Sequence, residues 1–153
     1  MAALSNSVLA ESLYFVENGT GTYTGTVVIP ANAEVINVIV HGEAVWTSAG
    51  AVTLIVGDTV DDDGFFTAVN LKATDLLATE SIDLYREGGK FGADIAVDYT
   101  SVATIGASQI KRRLLTAERT LQAKVTVASG TGTAGRTRVT FVYAPRNETI
   151  ITV

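Results

Sequence analysis

The sequence has no cysteine, so neither a disulfide nor a thiolate metal site can be built from it, and the redox compartment stays undetermined. It is also poor in charge. Charged residues make up 18% of its 153 positions, below the roughly 25% of an average soluble domain. Much of the surface must then be Thr, Ser, Ala and Gly, which suits an all-β protein or one that hides surface against partners. There is one histidine, His41, one tryptophan, Trp46, and only two prolines. No segment approaches the roughly 18 consecutive apolar residues of a membrane span, so we expect a soluble chain that makes no membrane contact. The first Lys or Arg is Lys72. A secretory signal or transit peptide begins with basic residues, and none is expected here.

What is present is alternation. Tyr23, Val27 and Ile29 fall opposite Thr22, Thr24 and Thr26, and Pro30-Ala31-Asn32 closes that strand with a turn. A long strand follows, with Ile36, Val38, Val40, Ala44 and Trp46 on one side and Asn37, His41 and Glu43 on the other. Residues 51–57 are apolar on both faces, as in a strand inside a sandwich. Further strands place Ile95, Val97 and Tyr99 together, then Leu121, Ala123, Val125 and Val127, and finally Val139, Phe141 and Tyr143. In 65–77 and 107–119 the apolar residues instead recur at helical spacing, Phe66, Val69, Ala73 and Leu76 in the first and Ile110, Leu114 and Ala117 in the second. We therefore expect an all-β chain, an antiparallel β-sandwich or jelly-roll-like fold with one or two short helical turns in its crossovers. The length fits one domain, which we assign to 19–153. Residues 1–18 are either an N-terminal arm or a first strand.

Three stretches invite a chemical reading. Four aspartates crowd into GDTVDDDGFF, residues 57–66. An EF-hand needs oxygen ligands at positions 1, 3, 5 and 12 around a glycine at 6. With Gly64 as that glycine, Asp61 and Asp63 take positions 3 and 5, but Thr59 falls at 1 and Asn70 at 12. A looser calcium shell of Asp58, Asp61 and Asp63 is the remaining metal candidate, and a turn held by Asx hydrogen bonds is the favoured reading. The run Gly130-Thr131-Gly132-Thr133-Ala134-Gly135 matches a dinucleotide fingerprint letter for letter. The fingerprint works because a helix follows the glycines and receives the pyrophosphate. Here RTRVTFVYA follows, a strand, so we expect a hairpin loop joining 121–129 to 136–144. His41 lies mid-strand beside Glu43 with no nucleophile motif elsewhere, so no catalytic residue is assigned and no cofactor is expected.

Charge is unevenly spread. Residues 1–85 hold one Lys and eleven Asp/Glu, a balance of −10, and residues 86–153 hold ten Lys/Arg and five Asp/Glu, a balance of +5. Such halves either neutralise each other within one fold or guide a head-to-tail contact between subunits. The run Lys111-Arg112-Arg113 lacks a surrounding basic field, and a chain of pI about 4.7 makes a poor nucleic-acid binder. Contact with an acidic protein partner suits it better, and a solvated turn better still.

The order of segments, TGTVVIPANAEVINVIVHGEAVW, then AVTLIVGDTVDDDGFF, then TLQAKVTVASGTGTAGRTRVTFVYA, resembles small β-sandwich structural proteins of tailed bacteriophages over residues 20–144. It looks most like the capsid decoration, or cement, proteins. The resemblance implies a non-enzymatic chain on the virion surface, made in the bacterial host cytoplasm. It further implies a homo-oligomer, often a trimer at local three-fold positions, that contacts the major capsid protein and holds capsomers together. A tail or baseplate component and a carbohydrate-binding β-sandwich are the alternatives. The interface candidates are Leu13, Tyr14 and Phe15 of the N-terminal stretch, with Arg112 and Arg113.

Overall fold

The computed structural model describes residues 7–72, 78–84 and 117–145. They form eight strands: β1 Leu9–Val16, β2 Gly21–Ile29, β3 Ala33–Ala44, β4 Val52–Asp58, β5 Phe66–Asn70, β6 Ser81–Asp83, β7 Arg119–Val127 and β8 Arg136–Pro145. Two antiparallel four-stranded sheets result, ordered β1-β8-β3-β6 and β2-β7-β4-β5. The antiparallel two-sheet architecture is the expected one. In pairing β1 meets β8, β2 meets β7, β3 meets β6 and β4 meets β5. The described strands thus form an antiparallel ribbon doubled on itself, and among them only β4 and β5 are consecutive strands of one sheet.

Period-2 alternation decides what each strand buries. In β2, Val27 and Ile29 go inside while Thr22, Thr24 and Thr26 stay exposed. In β7, Leu121, Ala123, Val125 and Val127 are buried, and in β8 so are Val139, Phe141 and Tyr143. The inner faces of both sheets join in one apolar cluster that also takes in Phe15, Trp46, Phe65 and Phe66. Fully burying side chains of this size contributes about 1.5–3 kcal/mol each. The turn after β2 is where Pro30 and Asn32 predicted it, with Asn32 in the left-handed region at φ 59° and the Ala33 N–H donating to the Pro30 carbonyl.

Three expectations are corrected. The helical spacing of Phe66 and Val69 belongs to a strand. Leu54 pairs with Val69 and Val56 with Phe66, so β5 spends three residues where β4 spends two. The extra residue is a β-bulge, with exposed Ala68 at φ 47°. Second, the long strand does not keep one parity. A register shift between Val35 and Asn37 turns Val35 inward along with Val38 and Val40, which leaves Ile36 only half-buried. Third, 128–135 is not a hairpin loop. It carries the chain from β7 in one sheet to β8 in the other. No helix occurs among the described residues. The strand expected at 95–99, most of the helical stretch 107–119 and residues 73–77 lie outside them.

Candidate interface

One end of the sandwich is built on the aspartates. Gly57 must be glycine, because a Cβ there would lie 2.1 Å from the Asp61 carbonyl oxygen. That close approach folds the loop back so that the Asp58 N–H reaches the Asp61 carbonyl at 2.8 Å. Asp58 Oδ1 accepts from the backbone N–H groups of Val60 at 2.8 Å and Asp61 at 2.7 Å. Its Oδ2 accepts from Arg119 Nε at 2.9 Å and Nη2 at 2.5 Å. Burial alone would raise the Asp58 pKa, but these N–H donors and the guanidinium outweigh it and hold the carboxyl below its ordinary value. Arg119 also lies over the Phe65 ring, 5.5 Å from its centre. Asp62 pairs with Lys124 at 2.5 Å. Both oxygens of Asp58 are therefore spent on the loop and on β7. Among the described residues no group of three or more His, Cys, Asp or Glu is arranged to hold a metal ion.

The opposite end joins the three loops that follow β1, β3 and β7. Thr47 Oγ1 accepts from the N–H groups of Thr133 and Ala134, at 2.9 and 3.0 Å, and donates to the Ala134 carbonyl. Glu17 Oε1 accepts from the N–H groups of Gly19 and Gly132. Lys72 Nζ donates to the Ser48 carbonyl at 2.6 Å. The Gly130-to-Gly135 run serves this packing. A Cβ on Gly132 would lie 2.6 Å from the Ser48 nitrogen, and one on Gly135 would lie 2.6 Å from the Trp46 ring. Trp46 is thereby roofed by backbone, and its Nε1–H donates to the buried Thr137 hydroxyl at 2.9 Å.

The third region is the side where β1 and β2 close the sandwich. Of the sequence's interface candidates there, Phe15 is buried and Leu13 is half-buried; both pack over Gly25 of β2. Tyr14 points out and is half exposed, with the Arg136 guanidinium 5.2 Å from its ring centre. Arg136 in turn meets Glu43 at 2.6 Å. His41 stands on the outer face of the same sheet, opposite Arg138 and Ser81. Arg112 and Arg113 lie outside the described residues. Sequence reasoning missed Val28, an exposed apolar residue near the end of β2; Val16, also exposed, continues the Leu13-to-Phe15 stretch already singled out. The even positions of β1, Ala10, Ser12, Tyr14 and Val16, carry no charge.

No family model and no curated protein matches the chain. Solved structures of phage capsids share its fold. A chain of the cyanophage Pam1 capsid asymmetric unit superposes with a TM-score of 0.60 at 18% identity, over 95% of this chain and 90% of that one. A chain of the acid-stable capsid of Helicobacter pylori bacteriophage KHP30 gives 0.56 at 15% identity, over 90% and 86%. One from the capsid of Ralstonia phage GP4 gives 0.51 at 17% identity, over 97% and 90%. At such identities the likeness is one of fold, and it extends over nearly the whole chain in each case.

Proposed function

We propose that this chain is a non-enzymatic structural protein of a phage virion, bound to the outside of the capsid, where it stabilises the lattice by bridging capsomers. The observation that carries the reading is the fold shared, nearly end to end, with chains from three phage capsid structures. The doubled-ribbon pairing supports it, since that winding is the jelly roll used by viral capsid domains. Surface chemistry supports it too. The outer face of the β2 sheet carries Thr22, Thr24, Thr26, Thr53, Thr120 and Thr126 around one cation, Lys124, already paired to Asp62. Short threonine side chains lose little rotamer freedom on docking. Cement holds by several such contacts at once, each of them weak, acting together across neighbouring subunits. A homotrimer at local three-fold positions suits this role, with the major capsid protein as the partner.

The test is reconstitution. Capsids stripped of this chain are mixed with the purified protein and sedimented, then heated. Binding in a fixed ratio to the capsid protein, with a raised temperature of shell disruption, is the expected result. Shells equally robust with and without the chain, or a chain that stays in the supernatant, would remove the proposal.

A further inference from the structure

Asn18 is the only asparagine in the sequence that precedes a glycine. It is exposed, in the loop between β1 and β2. Bond geometry keeps its side-chain carbonyl carbon, Cγ, within reach of the Gly19 nitrogen, and Gly19 carries no Cβ to shield that nitrogen. Gly19 sits at φ 88°, in the left-handed region that other residues avoid.

The peptide group between the two residues is held from both sides. Glu17 Oε1 accepts from the Gly19 N–H at 3.1 Å. Tyr23 Oη donates to the Asn18 carbonyl at 2.9 Å and to the Gly19 carbonyl at 3.1 Å. A base on the N–H and a donor on the conjugated carbonyl are what an amide needs to become a nucleophile, since the charge left when nitrogen loses its proton spreads onto that oxygen. Glu17 also has an open place for the proton. Its Oε2 is buried and has no hydrogen-bond partner among the described residues, a cost that calls for an explanation. We propose that Asn18 is a self-modification site, which loses its side-chain amide through a cyclic imide formed with the Gly19 nitrogen, with Glu17 as the base and Tyr23 as the donor to the carbonyl.

The Gly19 nitrogen bonds to Asn18 Cγ as its proton passes to the Glu17 carboxylate. The bond from Cγ to the side-chain nitrogen then breaks, and Glu17 returns the proton to the leaving group, which departs as ammonia. Water opens the imide at one carbonyl or the other and leaves aspartate or isoaspartate. Either product sets a second carboxylate beside Glu17, whose Oε1 also holds the Gly132 N–H at 3.0 Å. The modification therefore bears on the contact between this loop and the one after β7. Isoaspartate in addition lengthens the backbone of a loop already packed against Thr131, whose Oγ1 would lie 3.2 Å from a Cβ on Gly19.

The modification is read on the isolated chain, so its failure leaves the capsid reading untouched. The purified full-length protein is kept in neutral buffer, sampled over time, digested and mapped by mass spectrometry, with isoaspartate read by a methyltransferase specific for it. Asn18 should convert while the other asparagines stay intact. Glu17→Gln keeps an acceptor for the Gly19 N–H but cannot take its proton, and Tyr23→Phe removes only a hydroxyl and keeps the fold should Glu17→Gln not. Each should slow the conversion by about tenfold or more. In denaturant the wild type and both variants should convert at one rate, which separates the contribution of the fold from that of the dipeptide. An Asn18 that stays intact in the folded wild type overturns the proposal. So do folded variants that convert as fast as the wild type, or a slowing that persists in denaturant.

Discussion

At Trp46 the packing of a single side chain fixes the composition of a loop far along the chain. The indole is buried, its nitrogen is bonded to Thr137, and the backbone at Gly135 passes close over its ring. Thr137→Val should therefore cost about 1–3 kcal/mol by stranding the buried Nε1–H. Denaturant unfolding followed by the fluorescence of this one tryptophan would read that loss directly. Asp58 gives a pH dependence. Its folded pKa lies below the unfolded one, so its stabilisation is complete above about pH 4 and fades as the pH falls through the lower folded value. Asp58→Asn keeps an acceptor for the loop but loses the charge facing Arg119. The variant should be less stable at neutral pH, and the gap to wild type should narrow in acid; a gap that stays constant would contradict the assigned role. The Asx turn was legible from the Asp-rich composition. Arg119 as its counter-charge was not, since 61 residues of chain separate the pair.

At the scale of elements, the alternating strands were legible because burial on one face imposes period 2. The failures trace to single residues that break the period. The bulge at Ala68 puts Phe66 and Val69 three apart on one face, which imitates a helix. Alanine is strained in the left-handed region by roughly 1–2 kcal/mol, and this residue is exposed. Ala68→Gly should hence raise stability by up to about 1 kcal/mol after the unfolded chain's added freedom is counted. An unchanged or lowered melting midpoint would argue against the bulge. The β7–β8 connection failed for another reason: a glycine-rich loop between two strands reads alike whether the strands share a sheet or face each other across the core. For the N-terminal stretch the sequence left arm or strand open, and β1 pairs with β8 from Leu9 to Val16. Deleting residues 1–16 would strip β8 of a neighbour and take Phe15 from the core. The truncated chain is expected to lose cooperative unfolding in calorimetry, whereas a detachable arm would leave the transition intact.

Across the whole molecule, the opposed charge balances of the two halves meet inside the fold. Asp58, Asp62 and Glu43 come from the acidic half, and Arg119, Lys124, Arg136 and Arg138 from the basic half; all four ion pairs found among the described residues link the two. With these charges paired, the outer face of the β2 sheet presents mainly threonine: Thr22, Thr24, Thr26, Thr53, Thr120 and Thr126. Neither strand order nor the identity of the edge strands could be read from the sequence, because both depend on which strands pair across long separations. The most direct test is a cryo-electron-microscopy reconstruction of native particles that contain this chain. The account predicts density for two four-stranded sheets at repeated lattice positions on the outer shell, in fixed ratio to the capsid protein. Density confined to the tail, or in no fixed ratio to the capsid protein, would contradict it.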